Sequence, residues 1–304
     1  MTDYLLRMWS QEAGVHGLAC LSTDLVNEAA RRHRTSPVAT AALGYGLTAA
    51  VLLGTLLKSH QRVALKIEGD GPLRKMVLEA DATGRVLGYI AEPNVPWPLP
   101  IGPWDVAEAL GRNGLLTVVK DLRLKNLYQG MISLETGEME KEIARYLNRS
   151  EQVASLVELG MHMDEGGQLL AAGGLLIQLL PGEEPAVLRD LARRLAELPP
   201  PAARLAAGQT PEDLLATLFA GISYEVLQMQ PIEFHCTCSY ERSRQAIKAL
   251  GEDEIATLIA EGEAVVDCHF CHERYVFDRD ALEAILDELE EAALLSLFDE
   301  EEPT

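Results

Sequence analysis

The stretch FHCTCSYERSRQ, residues 234–245, holds two of the five cysteines in a chain of 304 residues, and DCHFCHERYVF, residues 267–277, holds two more. Cys236 and Cys238 form a C-x-C pair, Cys268 and Cys271 form a C-x-x-C pair, and 29 residues separate the pairs. Two close pairs joined by a folded spacer are typical of a tetrahedral zinc site with four thiolate ligands. The sequence therefore predicts one Zn²⁺ per chain, bound by these four cysteines.

The residues around the pairs predict a small folded module. EAVVD before Cys268 and RYVF after Cys271 are short strand patterns, which place the C-x-x-C pair at the tip of a hairpin. The spacer predicts two helices, with Ile247 and Leu250 on one face of the first and Gly251 at its end. So small a module has little hydrophobic core, and zinc would contribute directly to its folding.

Three histidines flank the cysteines, and a fifth cysteine lies far from them. A site with three cysteines and His272 is an alternative, but four thiols already complete a tetrahedron. We therefore expect His235, His269 and His272 to lie beside the ligands or in solvent. Cys20 has apolar neighbours in HGLACLS, so we expect a buried, inert thiol.

The first 181 residues predict an α+β domain, an antiparallel sheet with packed helices. Strand patterns occur in RVALKIEGDGPL and over residues 115–119 and 128–134, and the short loops between them imply antiparallel pairing. Helical patterns cover residues 23–34, 37–58, 138–147 and 150–159, with Ser150 as an N-cap candidate. Gly173 and Gly174 indicate a bulge or a close backbone approach in a long apolar strand.

The most apolar segment, AALGYGLTAAVLLGTLL at residues 41–57, superficially resembles a membrane span. At 17 residues it is shorter than the ~20 residues that a span needs, and its glycines and threonines dilute it, so we predict a buried core helix. Residues 1–20 show no signal-peptide pattern, which makes a cytoplasmic location the default expectation. The sequence predicts no membrane partner.

Composition divides the remainder of the chain. LPPPAARLAAGQTPEDL breaks residues 182–231 into short helical pieces, which predicts a metastable helical linker. The predicted domains are therefore a core at residues 1–181, the linker, and a zinc-binding domain with an acidic tail at residues 232–304. Of the total net charge of −21, residues 232–304 carry 20 acidic and 5 basic side chains, and this excess of acid disfavours a nucleic-acid partner.

The four cysteines support three classes of function. The zinc could be purely structural in an interaction module, or the thiolates could sense oxidants, because metal-bound thiols stay deprotonated and the thiolate attacks oxidants. The third class is a thiol-disulfide oxidoreductase. The sequence contains no P-loop, dinucleotide fingerprint or evident nucleophile–base pair, so we predict that the protein is not an enzyme. Four cysteines allow three disulfide pairings, and the residues alone do not choose among them.

Over nearly its whole length the sequence resembles the Hsp33 family of redox-regulated chaperones. The segment from Met229 to Phe277 is similar to that family's zinc domain, and EGDGPL, GGLLIQLLPG and LLGTLLK resemble family signatures in the expected order. Leu87 in GRVLGY and Tyr45 in ALGYGL depart from the pattern, which has an arginine at the first position and a basic residue at the second.

The resemblance implies a redox switch. It implies a core that forms homodimers, a linker that senses folding, and a reduced zinc-bound form that is inactive. Oxidation would form the disulfides Cys236–Cys238 and Cys268–Cys271 with loss of zinc, and the linker would unfold. The exposed surface would then hold unfolding client proteins without ATP and prevent their aggregation.

Overall fold

The computed structural model describes residues 2–96 and 106–299, with side chains described up to Glu291. Contacts divide the chain between His235 and Cys236 into an N-terminal unit and a C-terminal unit. The N-terminal unit includes residues 182–231, and their separate identity as a linker stays a prediction.

Strands and helices are numbered along the chain. The strands are β1 (Tyr4–Ser10), β2 (Val15–Leu21), β3 (Arg62–Gly69), β4 (Lys75–Asp81), β5 (Arg85–Ile90), β6 (Gly114–Asp121), β7 (Tyr128–Ser133), β8 (Ser155–Met163), β9 (Leu169–Leu179), β10 (Glu225–Pro231), β11 (Glu233–Phe234), β12 (Glu263–Asp267) and β13 (Arg274–Asp278). The helices are α1 (Thr23–His33), α2 (Pro37–Gly54), α3 (Val106–Leu110), α4 (Met139–Arg149), α5 (Ala186–Ala196), α6 (Pro201–Ala206), α7 (Pro211–Leu218), α8 (Tyr240–Lys248), α9 (Glu252–Glu261) and α10 (Arg279–Asp299).

Two sheets form the N-terminal unit. The five-stranded sheet has the order β10-β1-β2-β9-β8 and is antiparallel throughout. The six-stranded sheet has the order β11-β5-β4-β3-β6-β7 and is antiparallel except where the short β11 pairs parallel with β5. This architecture confirms the predicted α+β class with an antiparallel core.

Helix α2 is the central element of the N-terminal unit. It packs on β3, β4 and β5 of one sheet and on β8 and β9 of the other. The helix is long and apolar enough to cross a membrane, yet 89% of its residues are buried inside the fold. A helix that is apolar on all sides is stable in water only when protein covers every side, which confirms the predicted core helix.

A side chain from outside helix α1 caps its N-terminus. Ser22 precedes the helix but makes no side-chain capping bond. Instead, the carboxylate of Asp3 accepts a 2.7 Å hydrogen bond from the backbone N–H of Leu25. Burial raises the pKa of Asp3 to about 7, although hydrogen bonds from the backbone of α1 act in the opposite direction. The cap therefore ties the N-terminal residues to α1 through a carboxyl that titrates near neutrality.

We expect Asp3→Asn to flatten the pH dependence of stability. Because the pKa of Asp3 rises from 3.8 to about 7 on folding, the folded state favours the protonated carboxyl. Its contribution to the free energy of unfolding therefore falls as the pH rises from about 4 to 7, by at most about 4 kcal/mol. Urea unfolding of both proteins at pH 5 and pH 8 measures the effect, and equal pH slopes would contradict it.

The helices of residues 182–231 cover one face of the five-stranded sheet. The two sides of this contact form two buried apolar clusters, the smaller of which joins Leu21 and Ala171 to Leu205 and Leu214. Both sides also contribute to the larger cluster. The sheet contributes Leu6, Met8, Val15, Ala19, Leu175 and Ile177, and the helical segment contributes Leu191, Leu195, Leu215, Leu218 and Phe219. Strand β10, which the helical prediction for this segment did not include, pairs with β1 at the edge of the same sheet.

Helix α6 lies against a pair of glycines on β8 and β9. Gly160 and Gly173 are cross-strand partners. A Cβ atom on Gly160 would lie 2.8 Å from the backbone nitrogen of Ala202, and one on Gly173 would lie 2.4 Å from Cδ1 of Leu205. The close backbone approach predicted at Gly173 is confirmed, because a Cβ atom there would also lie 2.4 Å from the backbone oxygen of Cys20, whereas a Cβ atom on Gly160 would meet the backbone of α6.

The buried Arg204 joins α6 to α7. Its guanidinium donates hydrogen bonds to the side-chain oxygen of Gln209 at 2.7 Å and to the hydroxyl of Thr217 at 2.8 Å. A third bond reaches the carbonyl oxygen of Asp213 at 3.2 Å. These short helices thus depend on a few specific polar contacts as well as on the sheet.

The helix predicted over residues 150–159 is wrong. Ser150 ends α4, and its N–H donates a 2.8 Å hydrogen bond to the carbonyl oxygen of Tyr146. Gln152 has a φ of 58°, which breaks the helical path, and the chain continues as β8. Strand β8 pairs with β9, its neighbour along the chain, and this pairing outweighs the local helical preference.

The C-terminal unit confirms the predicted helix, turn, helix and hairpin. Leu250, which was predicted to share the apolar face of the first helix with Ile247, instead lies beyond the end of α8 and is exposed. Gly251, with a φ of 95°, lies between α8 and α9, and β12 pairs antiparallel with β13. The apolar core of this unit is small. Its buried members among the described residues are Ile247, Ile255, Ala264, Phe277, Leu282 and Ile285.

Candidate metal centre

The four cysteines lie on two loops of the C-terminal unit. Cys236 and Cys238 precede α8, whose N-terminus is capped by the hydroxyl of Ser239 through a 3.2 Å hydrogen bond from the N–H of Arg242. Cys268 and Cys271 lie in the turn between β12 and β13, as the hairpin pattern predicted. The first pair therefore directly precedes a helix and the second lies between two strands, so regular elements fix the direction of both loops.

Backbone hydrogen bonds shape the C-x-x-C turn. The N–H of Cys268 donates to the carbonyl oxygen of Glu273, and the N–H of His272 donates to the carbonyl oxygen of Cys268, both at 2.8 Å. His272 has a φ of 57°, in the left-handed region. The turn thus closes the hairpin and leaves both cysteine side chains on the side of the first pair.

The sulfur atoms of all four cysteines lie within 4.8 Å of one another. The Sγ atoms of Cys236 and Cys268 are 3.7 Å apart, and those of Cys238 and Cys271 are 3.3 Å apart. A tetrahedral site with metal–sulfur bonds of about 2.3 Å needs sulfur–sulfur distances of about 3.8 Å. The spacing therefore fits a four-thiolate metal site, and all four cysteines are free thiols.

Burial and local hydrogen bonds act differently on the thiols. Burial raises the pKa of Cys236 to about 11 and is also the largest cause of the raised pKa of Cys271. Burial acts in the same direction on Cys268, but backbone N–H groups of Cys271 and Phe270 donate to its sulfur and lower its pKa overall. Of these three thiols, Cys268 loses its proton most readily, and a bound cation would favour the deprotonated form of Cys236 and Cys271 as well.

A tyrosine that the sequence argument did not identify completes this site. The hydroxyl oxygen of Tyr275 lies 3.1 Å from the Sγ atom of Cys238. In RYVF, alternation places Tyr275 on the same side of β13 as the buried Phe277. That alternation is the signal that could have predicted an inward tyrosine beside the C-x-x-C turn.

The flanking histidines and Cys20 were predicted not to bind the metal. Among the described residues, the cluster of ligand atoms contains four cysteines and no histidine. His235 lies in the N-terminal unit, where its Nδ1 atom is 3.8 Å from a carboxylate oxygen of Glu233. Cys20 is fully buried on β2, and burial raises the pKa of its thiol to about 12, which confirms the expectation of a buried thiol that stays protonated.

Comparison with known proteins agrees with this geometry. A family model described as Hsp33 protein matches residues 3–278. This chain belongs to the Hsp33 family. The 33 kDa chaperonin of Geobacter sulfurreducens is 46% identical over 290 residues, covering 95% of this chain and 96% of that protein. The 33 kDa chaperonin of Bacillus subtilis is 40% identical over 288 residues, covering 94% and 99%.

A solved Hsp33 structure has the same fold. The crystal structure of the 33 kDa chaperonin of Thermotoga maritima, described as a heat shock protein 33 homolog, superposes with a TM-score of 0.86 at 30% sequence identity. The match covers 95% of this chain and 99% of that one. The Hsp33 fold therefore extends over both units of the chain.

The two positions that depart from the Hsp33 pattern have ordinary places in the fold. Leu87 lies on β5 opposite Glu79 of β4. Tyr45 packs against the main core from α2, and burial raises its pKa to about 12. Neither substitution interrupts an element of this Hsp33 fold.

We expect Cys271→Ser to abolish stoichiometric metal binding. The serine hydroxyl is a poor replacement for a thiolate ligand, so the purified protein should fall from about one zinc per chain to a small fraction of that. Cys20→Ala is the matched control, because it removes a thiol outside the cluster. Elemental analysis and chelator titration measure the difference, and full zinc content in Cys271→Ser would contradict the four-cysteine site.

Proposed function

We propose that this protein is an ATP-independent holdase chaperone that oxidation activates. The reduced form binds one Zn²⁺ and is inactive, and the oxidised form binds unfolding proteins and keeps them from aggregating. The observation that carries the proposal is the set of four sulfurs within 4.8 Å, in a unit with only a small apolar core among the described residues. Membership of the Hsp33 family and relatives named 33 kDa chaperonin support it.

The four cysteines Cys236, Cys238, Cys268 and Cys271 are the proposed ligands. Zinc bound there keeps the thiols deprotonated and contributes to folding. Among the described residues, the six buried side chains of the C-terminal core supply little stabilisation by themselves. We therefore infer that loss of the ligands to oxidation also removes much of the folding energy of this unit.

Peroxides are the proposed class of oxidant, because a thiolate attacks hydrogen peroxide as a nucleophile. A sulfur lone pair attacks one peroxide oxygen, so that an S–O bond forms, the O–O bond breaks and hydroxide leaves. The second thiolate of the pair then attacks the sulfenic sulfur, which forms the S–S bond and expels a second hydroxide. Formation of each disulfide thus transfers two electrons from the pair of thiolates to one peroxide molecule.

We place the disulfides within the pairs, Cys236–Cys238 and Cys268–Cys271. Short chain separation favours this pairing, since each cysteine has a partner within three residues. The shortest sulfur contacts run across the pairs, at 3.7 and 3.3 Å. Peptide mapping of the oxidised protein therefore distinguishes disulfides within the pairs from disulfides across them.

Residues 182–231 are the proposed linker between a core at residues 1–181 and a zinc domain at residues 232–304. Helices α5, α6 and α7 have 11, 6 and 8 residues, and helices of this length are marginal without tertiary contacts. They cover an apolar sheet face that includes Leu6, Met8 and Val15. Release of the linker would expose that face, and such an apolar surface suits unfolded clients.

The remaining proposals concern the location, the partners and the oligomeric state of the protein. We infer no nucleic-acid or membrane partner, because the net charge is −21 and the apolar α2 is buried. The cytoplasmic location that we propose rests on membership of the Hsp33 family. We also infer that the active form is a homodimer and that the protein has no enzymatic turnover. Unfolded proteins are the proposed clients.

The central experiment follows zinc, free thiols and chaperone activity together. We expect peroxide to release about one zinc per chain, to consume four thiols, and to suppress light scattering from a thermally unfolding client. Retained zinc with retained thiols would support a purely structural site. Catalytic turnover of a small disulfide would instead favour an oxidoreductase.

We expect Gly160→Ala to lower the peroxide concentration needed for activation. The three atoms nearest to the added Cβ all belong to Ala202 of α6, so the change strains the docked linker by about 1–3 kcal/mol. Gly166→Ala is the control, because its nearest neighbour is a side-chain oxygen of Asp164 at 3.3 Å. Client scattering against peroxide concentration measures the threshold, and equal thresholds for both variants would contradict the role of α6.

A further inference from the structure

The sulfur of Cys238 has a side-chain hydroxyl within hydrogen-bond distance. Backbone N–H groups donate to Cys236, Cys268 and Cys271. The hydroxyl oxygen of Tyr275 lies 3.1 Å from the Sγ atom of Cys238, and the Sγ atom of Cys271 lies 3.3 Å from it. A side-chain donor can be removed without changing the loop, whereas the backbone donors are built into the turn.

The position of Tyr275 is set by the hairpin. Tyr275 lies opposite Val266 in the β12–β13 pair, and its side chain shares a face with Phe277 in the core of the unit. The ring is partly buried and the hydroxyl reaches the sulfur across the end of the hairpin. The contact thus joins the strand that follows the C-x-x-C turn to the ligand of the other pair.

A thiolate has no proton to give, so the tyrosine hydroxyl is the donor whenever Cys238 is deprotonated. A hydrogen bond to a charged acceptor is stronger than one between neutral groups. This hydrogen bond involves the same sulfur lone-pair electrons that Cys238 needs for attack on peroxide. An attacking sulfur must therefore give up part of this bond before the S–O bond forms.

We propose that Tyr275 sets the oxidation threshold of the cysteine cluster by restraining the nucleophilicity of Cys238 through this hydrogen bond. The proposal rests on the proposed redox function and adds a residue that acts through a ligand without being one. Tyr275 is thus a positioning and tuning residue for Cys238.

The test compares Tyr275→Phe with Tyr240→Phe. The first change removes the hydroxyl beside Cys238 and keeps the ring. The second removes a hydroxyl from the same unit, on α8, where the Tyr240 ring stacks on Phe277 with centroids 4.5 Å apart. We expect both variants to bind one zinc per chain. Zinc release and thiol loss under peroxide should be about tenfold faster for Tyr275→Phe, and within about twofold of the unmodified protein for Tyr240→Phe.

Cobalt substitution gives a readout that is independent of oxidation. Loss of a hydrogen bond raises the energy of the sulfur electrons, so the sulfur-to-cobalt charge-transfer band of Tyr275→Phe should move to lower energy, while that of Tyr240→Phe stays. If peroxide releases no zinc from any variant, that result overturns the proposed function alone. A shifted band would still support the contact between Tyr275 and Cys238. An unshifted band with unchanged release rates would overturn the role of Tyr275. The band is measured on whatever fraction binds cobalt, so reduced folding of the variant does not prevent the comparison.

Discussion

The mutual repulsion of four negatively charged thiolates is the constraint on which the C-terminal unit depends. At separations near 4 Å, two unit charges repel by about 4 kcal/mol at the effective dielectric constant of a protein surface. Two sulfur pairs in the cluster are closer than that, at 3.3 and 3.7 Å. The small core that the described residues form cannot hold several such charges together, so the array requires a cation, protons or disulfide bonds. Of these, the cation allows all four sulfurs to remain reactive thiolates.

The N-terminal unit depends on a different balance. Its main core surrounds α2 and is extensive, whereas the second face of the five-stranded sheet is covered by three short helices. Their docking relies on the close approach at Gly160 and Gly173 and on the polar contacts of Arg204. Local stability is therefore uneven within one compact unit, and the segment with the fewest independent sources of stability adjoins the cysteine module in sequence.

The elements that local sequence predicted correctly share a short range of interaction. The cysteine spacing, the glycine between α8 and α9 and the apolar pattern of α2 each have their cause within a few neighbouring residues. The prediction failed over residues 150–159, where β8 forms because β9 is available as a partner. It also missed β10 within the helical segment, because an edge strand such as Glu225–Pro231 is defined by pairing with β1. In both cases the partner strand lies outside the short window of residues on which the local prediction depends.

The same distinction applies to the metal centre. The sequence by itself determined which four side chains could serve as ligands, because the number and spacing of thiols limit what a tetrahedral site can use. Only the tertiary structure decided how the sulfurs are arranged and which groups surround them. The cross-pair contacts, the backbone donors to Cys268 and the hydroxyl of Tyr275 depend on the hairpin folding against the first loop. Ligand identity is a property of residue type and spacing, whereas the reactivity of each sulfur is a property of distances between atoms that folding brings together.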